Sequence, residues 1–232
     1  MDFPIWEPVY ESILTDFGFD RAEDERARDV LASLAGPFEE THLEGVTDST
    51  VVVAGAGPSL ESPRNLECAR EAEYVFAAST AVDDLEAHGI DVDCMVTDLD
   101  KNPETVVRLT GRGTPVAVHA HGDNVPAVRE VVPDCVDEYV LPTTQAEPRG
   151  PVRNVGGFTD GDRAAFLADY FGAGTLEFVG WDLEDPDVDR VKARKLEWAE
   201  RLLHWLECRR GERFAVLEGR RGGIDTAALP VE

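Results

Sequence analysis

The stretch VVVAGAGPSL, residues 51–60, predicts a buried strand that turns sharply into a helix. Three consecutive valines followed by an alanine are typical of a strand that is covered on both faces of a sheet, because no polar residue interrupts the run. Gly55 and Gly57 then permit close approach of the backbone, and Pro58 suits the first turn of a helix. A strand that leads directly into a helix is the repeating unit of an α/β fold.

The same alternation continues along the rest of the chain. Short apolar runs recur as VVVAG at 51, YVFAAS at 74, DCMVTD at 93, PVAVHA at 115, EYVLP at 138, LEFVG at 176 and RFAVLE at 213. Amphipathic segments that we predict to be helical lie between them, at residues 80–88, 103–110, 125–132, 160–171 and 188–209. The pattern predicts the α/β class, with a doubly wound, mostly parallel, Rossmann-like sheet that is covered by helices on both faces.

The N-terminal segment has a different pattern. Apolar residues recur with helical spacing over residues 5–16 and 21–35, and Gly36-Pro37 ends the second of these segments. We therefore predict an N-terminal helical cap over residues 1–45 and an α/β domain over residues 46–232.

The composition is strongly acidic. A formal net charge of −25 and a pI near 4.4 accompany 43% hydrophobic residues, so the chain has enough apolar material for a folded core. Only three lysines occur, and the acidic residues are spread along the whole sequence. This composition favours a halophilic protein, because concentrated salt screens the repulsion among carboxylates; an acidic face for a basic partner is the alternative. Binding to nucleic acid or to an anionic membrane is disfavoured.

The cysteines and the N-terminus indicate where the protein works. Four cysteines lie far apart without a CxxC motif, which is typical of a reducing compartment. The N-terminus MDFPIWEPVY lacks the basic and apolar regions of a signal peptide, and no apolar run approaches the roughly 18 residues of a membrane span. We therefore expect a soluble, cytoplasmic protein that acts on small molecules. The sequence leaves the oligomeric state open, with a homodimer as one option.

Ligands of open α/β sheets bind beyond the carboxyl ends of the strands, so the residues that follow each predicted strand are candidate site residues. After the first strand, backbone N–H groups of the GAGPSL segment can bind phosphate or another anion, with Gly55 and Gly57 as the candidate contacts and the Ser59 hydroxyl as an additional one. A tight turn without a ligand explains the same residues. Leu60 replaces the third glycine of GxGxxG, so the segment is not a dinucleotide-binding fingerprint.

The segment TDLDKNPE, residues 97–104, follows the third predicted strand and contains two aspartates one residue apart. Asp98 and Asp100 can point to the same side of an extended chain, and hard oxygen ligands of this kind suit Mg²⁺. The alternative is an ordinary turn with a helix cap. Because Asn102 already provides a cap for the next helix, we favour metal binding by the aspartates.

The segment HAHGDN, residues 119–124, follows the fourth predicted strand. Asp123 would lie beside the two aspartates of the preceding motif if these strands are neighbours, which would complete a three-carboxylate site for Mg²⁺. Asn124 is the expected cap of the next helix and a candidate nucleotide contact. His119 and His121 share one face, but no third nitrogen or thiolate ligand is near in sequence, so a zinc site is disfavoured.

The segment GGFTDGDRA combines flexible backbone with the start of a helix, and its candidate nucleotide contacts are Gly156, Gly157, Thr159, Asp160 and Arg163. Thr159 or Asp160 can cap the helix, and Arg163 suits a bidentate contact with phosphate. After the sixth predicted strand, Trp181 and Asp182 offer a stacking face beside a carboxylate for a heterocyclic substrate. Core packing is the alternative for Trp181.

Transfer of a phosphoryl-type group is the chemistry that these residues suit. It requires chiefly a cation that neutralises oxygen charge and a scaffold that aligns the acceptor and the leaving group. The sequence contains no GxxxxGK[ST] motif, which excludes a P-loop kinase, and no GxSxG elbow of a serine hydrolase.

Taken in order, GAGPSL, TDLD, HAHGDN and GGFTDGDRA resemble the motifs of the archaeal type of 6-hydroxymethyl-7,8-dihydropterin pyrophosphokinase, over about residues 50–182. The resemblance implies transfer of diphosphate from ATP to the hydroxymethyl oxygen of the pterin, with release of AMP, in tetrahydrofolate or methanopterin synthesis. The catalytic region is also similar to that of thiamine pyrophosphokinase, in which acidic motifs after neighbouring strands hold magnesium and ATP.

For this chain, the resemblance implies that Asp98 and Asp100 form the first acidic motif and Asp123 the second, so that all three are metal ligands and catalytic residues. It also implies Mg²⁺ as the cofactor and ATP as the co-substrate. Two other functions stay open at this point: a thiamine pyrophosphokinase-like enzyme, and a nucleotide-binding module without turnover.

Overall fold

Six strands form the central sheet of the protein in the computed structural model, which describes residues 1–231. The strands are β1 (Thr50–Ala54), β2 (Tyr74–Ala78), β3 (Cys94–Thr97), β4 (Val116–Ala120), β5 (Val140–Thr144) and β6 (Thr175–Val179). They lie in the order β5-β4-β3-β2-β1-β6, and every neighbouring pair is parallel. The predicted doubly wound parallel sheet is confirmed.

Helices cover both faces of the sheet. They are α1 (Phe3–Phe17), α2 (Arg21–Ala32), α3 (Pro63–Glu71), α4 (Ala81–Ala87), α5 (Pro103–Gly111), α6 (Val125–Val131), α7 (Asp160–Tyr170) and α8 (Arg190–Arg210). Val51 and Val53 pack into a core with α1, α7 and α8, whereas Val52 and Ala54 pack into a second core with α2 to α6. The apolar run of β1 therefore serves both faces, because successive side chains of a strand point to opposite sides.

The prediction of a seventh strand at RFAVLE, which begins at residue 213, is wrong. The segment forms a short 3-10 turn at Ala215–Leu217 after the end of α8. Phe214 and Leu217 are its buried residues, and the Phe214 ring lies 4.9 Å from that of Phe178 in β6. A spacing of three between buried residues is that of a helical turn, so the alternation that a half-buried strand requires is absent here.

The helix predicted to start at GAGPSL is also shorter than expected. Residues Pro58–Glu61 form a single 3-10 turn, and α3 starts afresh at Pro63. Ser62 between them has φ −64° and ψ 143°, an extended conformation. The cause is Pro63, because a proline disfavours the helical conformation of the residue before it.

The two predicted N-terminal helices are confirmed as α1 and α2, and each belongs to a different core of the sheet. Trp6 of α1 stacks on Trp205 of α8 with ring centroids 6.3 Å apart, and Leu31 of α2 is fully buried on the opposite face. The domain boundary after residue 45 stays a prediction. In residues 1–231, no helix is both long enough and apolar enough to cross a membrane.

Candidate active site at the carboxyl ends of the strands

The chain turns sharply where β3 ends, and Asp98 and Asp100 flank this turn. Between them, Leu99 is buried with φ +70°, a left-handed conformation that a leucine rarely adopts. The Leu99 N–H donates to Thr97 Oγ1 (3.0 Å), and the Asp100 N–H donates to Asp98 Oδ1 (3.2 Å). Asp98 therefore has a structural part in the turn, in addition to any part in binding.

Asp98 and Asp100 influence each other's ionisation in opposite directions. Burial acts to raise the pKa of Asp98, but hydrogen bonds with His121 and Asp100 and the nearby Arg163 charge outweigh it and hold this pKa well below its ordinary range. The pKa of Asp100 is raised, by burial first and then by its hydrogen bond with Asp98 and the Asp98 charge. The pair therefore holds one carboxylate that is readily ionised and one that resists ionisation.

Asp160, at the start of α7, is a third carboxylate close to this pair. Burial raises the pKa of Asp160 to about 7, the Asp98 and Asp100 charges add to the shift, and the Arg163 charge opposes it. The Asp160 side chain is 14% exposed, and its Oδ1 accepts a hydrogen bond from Arg163 Nη1 (2.9 Å). The acidic cluster that the structure brings together at this edge of the sheet is therefore Asp98, Asp100 and Asp160.

His121 separates Asp123 from this acidic cluster. His121 Nε2 lies 3.3 Å from Asp98 Oδ2, and His121 Nδ1 lies 3.5 Å from Asp123 Oδ1. The Asp123 side chain is 94% exposed. Metal binding by Asp123 together with Asp98 and Asp100 stays a prediction, and in this structure an imidazole lies between the two acidic motifs.

The helix caps predicted for two asparagines are not formed by their side chains. Both residues occupy the N-cap position, but neither side chain accepts an N–H of the first turn. Asn102 Nδ2 donates to Asp83 Oδ2 (2.7 Å), and Asn124 Nδ2 donates to the carbonyl oxygens of Asp98 (2.8 Å) and His119 (2.7 Å). Asn124 thus ties the turn after β3 to the end of β4. Because the Asn102 side chain does not cap α5, it does not exclude a turn or capping role for the aspartates.

Arg163, which we expected to bind phosphate, is buried and engaged within the protein. Besides Asp160, its guanidinium donates to the Phe158 carbonyl oxygen (2.5 Å) and to Gln145 Oε1 (3.4 Å). Arg163 Nε and His119 Nε2 have no hydrogen-bond partner, and both residues line a cavity of about 10 Å³, which has room for one water molecule. Burial holds the pKa of His119 well below its ordinary value, so this histidine is neutral.

The glycines of the GGFTDGDRA loop have a packing function. Gly156 and Gly157 have φ +91° and +92°, and a Cβ on Gly157 would lie 2.6 Å from Cα of Arg163. Thr159 and Asp162 form a reciprocal capping box at the start of α7. Close packing against α7 therefore accounts for the two glycines of this loop. Direct nucleotide contacts by Gly156, Gly157 and Thr159 stay predictions.

The loops after β1 and β6 contact each other directly. Asp182 Oδ2 accepts the Ser59 N–H (2.8 Å), and the Trp181 Nε1–H donates to the Val53 carbonyl oxygen (3.1 Å). A Cβ on Gly57 would lie 2.4 Å from Asp182 Oδ2, and one on Gly55 would lie 2.6 Å from the Gly180 carbonyl oxygen. The Asp182 carboxylate already accepts one N–H of the expected anion site, and Trp181 is half-buried. Asp182 and Trp181 therefore both have structural contacts.

The N-terminal helices support the strand-end loops through a buried carboxylate that our reading of the sequence missed. Asp24 of α2 is 2% exposed and accepts hydrogen bonds from Tyr10 Oη (2.8 Å), the Gly122 N–H (2.7 Å) and Gln145 Nε2 (2.7 Å). Trp6 Nε1 donates to the Gln145 carbonyl oxygen (2.8 Å). The loops after β4 and β5 are thus fixed by α1 and α2. Asp24 lies in the charged run DRAEDERARD, where nothing distinguishes it from solvated neighbours.

The oxygen atoms of Asp98 and Asp100 fit a hard divalent cation. Their opposed pKa shifts are those of two acids that compete for one proton, and a cation between them would relieve the repulsion. Mg²⁺ commonly takes one or two carboxylates and fills its other positions with water and substrate phosphates. Within residues 1–231, no group of three or more His, Cys, Asp and Glu side chains is arranged to hold a metal ion, so water or a substrate would have to supply further ligands.

These features define an open, parallel α/β protein whose acidic residues converge at the strand ends, in a form suited to an anionic ligand bound with a cation. The model of the family described as 6-hydroxymethylpterin diphosphokinase MptE-like matches residues 26–188. The chain belongs to this family.

Three curated archaeal proteins with the name 6-hydroxymethyl-7,8-dihydropterin pyrophosphokinase are similar to the chain. The protein of Methanothermobacter thermautotrophicus is 38% identical, with 89% of this chain and 96% of that protein covered. The proteins of Pyrococcus furiosus and Methanocaldococcus jannaschii are 35% and 32% identical, with 89% of this chain and 95% and 96% of those proteins covered. The family resemblance seen in the four motifs is confirmed.

Proposed function

We propose that this chain is a 6-hydroxymethyl-7,8-dihydropterin pyrophosphokinase that transfers diphosphate from ATP to the pterin hydroxymethyl group and releases AMP. The observation that carries the proposal is the 38% identity, over nearly the full length of both chains, with a protein of that name. The acidic cluster at the strand ends supports it, because transfer between phosphates requires a site that can hold a cation and a polyphosphate together.

In the proposed reaction, the hydroxymethyl oxygen forms a bond with the β-phosphorus of ATP. The bond from that phosphorus to the oxygen shared with the α-phosphate breaks, AMP leaves with the electron pair, and the hydroxyl proton is released. Mg²⁺ would neutralise charge on the phosphate oxygens. Asp98 and Asp100 would hold this ion, while His121 orients the Asp98 carboxylate and Arg163 balances the charge of Asp160.

Several site assignments are part of this proposal. We keep Asp123 as a candidate metal ligand, although in this structure the His121 imidazole lies between it and Asp98. Asp182 and Trp181 are retained as candidate contacts of the pterin. The candidate ATP contacts are Gly55, Gly57, Ser59, Asn124, Gly156, Gly157, Thr159, Asp160 and Arg163.

The direct test is to incubate the purified protein with ATP, Mg²⁺ and either the reduced pterin alcohol or thiamine, and to measure AMP. We expect AMP with the pterin and none above background with thiamine. AMP with thiamine alone would instead identify a thiamine pyrophosphokinase-like enzyme. Tight ATP binding without AMP from either acceptor would identify a nucleotide-binding module, and both results contradict the proposal.

We further propose that the enzyme works in concentrated salt in the cytoplasm. The net charge of −25 supports this, since screening shortens the range of carboxylate repulsion to a few ångströms at molar ionic strength. The melting temperature should therefore rise between about 0.1 M and 3 M KCl. A melting temperature that stays constant or falls over this range would contradict the halophilic interpretation.

A further inference from the structure

The three lysines of the chain lie near the acidic cluster, although Lys101 is distant in sequence from Lys192 and Lys195. Lys101 follows Asp100 in the turn after β3, whereas Lys192 and Lys195 lie in the first two turns of α8. Lys192 is exposed as a whole residue, but partial loss of hydration lowers its pKa, and the charges of Lys101 and Lys195 lower it further. Asp160 and Asp100 act on this pKa in the opposite direction. We call Lys101, Lys192 and Lys195 the lysine triad.

Among residues 1–231, the lysines take part in no ion pair within 4.0 Å, whereas many arginines form such pairs, for example with Glu86, Asp160 and Glu207. In a chain with 47 acidic and 22 basic residues, an ammonium group has many possible partners. Asp100 and Asp160 offset part of the repulsion among these three like charges, and an anion from outside the chain would offset the rest.

One contact places Lys195 beside the loop that leads to Asp160. Lys195 Nζ is 6.0 Å from the centroid of the Phe158 ring, in the loop that leads to Asp160. At the start of α8, Asp189 Oδ1 accepts the N–H groups of Val191 and Lys192 at 2.8 Å each. Because a carboxylate already satisfies the helix start, the positive charge available to a ligand is that of the ammonium groups. These are compact, strongly hydrated point charges, of the kind that bind phosphate.

We infer that the lysine triad binds the terminal phosphate of the diphosphate group that is transferred. This inference rests on the proposed function. The γ-phosphate keeps its bond to the β-phosphorus during the reaction and moves with it to the pterin, so its charge must be held throughout. One divalent cation does not neutralise three carboxylates and a polyphosphate, and the triad supplies the missing positive charge beside Asp100 and Asp160.

Lys101 lies in the TDLDKNPE segment and within the family match, but neither the motifs nor the match identifies Lys192 and Lys195. The match ends at residue 188, before Lys192 and Lys195. In the sequence, both residues look like the solvated face of an amphipathic helix. The structure places α8 against α7, and this contact brings the first turns of α8 to the strand ends.

The inference is tested by measuring the binding of inorganic diphosphate and of AMP by calorimetry, with Mg²⁺ at one fixed ionic strength. Single variants Lys192→Gln and Lys195→Gln should each weaken diphosphate binding severalfold, and the double variant at least tenfold. AMP binding should stay within twofold of the wild type. Lys192→Arg should retain most of the affinity, because it keeps the charge.

The matched control is Arg129→Gln, which removes one exposed positive charge on α6 and should leave both affinities unchanged. Diphosphate affinity of the double variant within twofold of the wild type would overturn the inference, as would an equal loss for AMP. The two proposals fail separately. If the wild type makes AMP with the pterin and the double variant still binds diphosphate normally, only the triad assignment is wrong. If the wild type binds diphosphate through the triad but makes no AMP, only the proposed function is wrong.

Discussion

Asp24 offers the sharpest test of how the N-terminal helices act on the site. Its buried carboxylate accepts three hydrogen bonds, two of which come from the loops after β4 and β5. Hydrogen bonds to a charged group contribute about 1.5–3 kcal/mol each, and water that enters the space recovers a part of this. We therefore expect Asp24→Ala to lower the free energy of unfolding by about 3–5 kcal/mol.

The effect on catalysis separates positioning from general stability. The Gly122 N–H that Asp24 holds is next to His121, which contacts Asp98, so Asp24→Asn should lower kcat for AMP formation even where the variant is fully folded. Tyr10→Phe removes the one hydrogen bond that involves neither loop. It should cost about 1–2 kcal/mol of stability and leave kcat near the wild-type value.

The assays are urea denaturation followed by circular dichroism, and AMP release at saturating ATP and pterin. Glu23→Ala is the matched control, because it removes an exposed carboxylate from the same helix and should change stability by less than about 0.5 kcal/mol. If Asp24→Asn and Tyr10→Phe lower stability equally and both leave kcat unchanged, the positioning role of Asp24 is refuted.

Three further predictions concern the site itself. Asp98→Asn and Asp100→Asn should both abolish AMP formation. Asp100→Asn should also raise the melting temperature at neutral pH, because the pKa of Asp100 is raised and its ionised form is unfavourable in the fold; a lower melting temperature would contradict this. Without divalent cations, the raised pKa of Asp160, about 7, predicts that its contribution to stability is full below about pH 4 and is lost as the pH rises through 7. The free energy of unfolding from urea denaturation should therefore fall over this pH range in the wild type but not in Asp160→Asn. Gly157→Ala should cost about 1–3 kcal/mol of stability, because φ is +92° and the new Cβ would overlap the Arg163 backbone, and an unchanged urea midpoint would show that the loop adapts.

Short-range patterns predicted most of the sheet. The run VVVA at 51–54 is buried on both faces, as expected for an uninterrupted apolar strand, and each of the six observed strands overlaps a predicted run. RFAVLE failed because its composition suits a strand, while its buried residues, Phe214 and Leu217, have the spacing of a turn. The composition of RFAVLE favours a strand and the spacing of its buried residues favours a turn, and the segment forms a turn that packs against β6.

The sequence predicted residues of the site only where a single local motif identifies them. Asp98 and Asp100 come directly after a strand, so the sequence places them at the ligand-binding edge. Asp24 and the lysine triad depend on contacts between segments distant in sequence, and no local pattern distinguishes a buried aspartate from its charged neighbours. Asn124 shows the same limit, because its side chain bonds two carbonyl oxygens of neighbouring strand ends in place of the helix that it precedes.

In the proposed function, the carboxylates at the end of β3 hold a divalent cation on a nucleoside triphosphate. The most direct measurement is the anomalous scattering of Mn²⁺ in crystals grown with an ATP analogue that cannot be cleaved between its α- and β-phosphates. We expect an anomalous peak bonded to oxygens of Asp98 and Asp100 and to the analogue's phosphates. A bound analogue whose metal ion contacts neither aspartate, or which binds without a metal ion, would contradict the account.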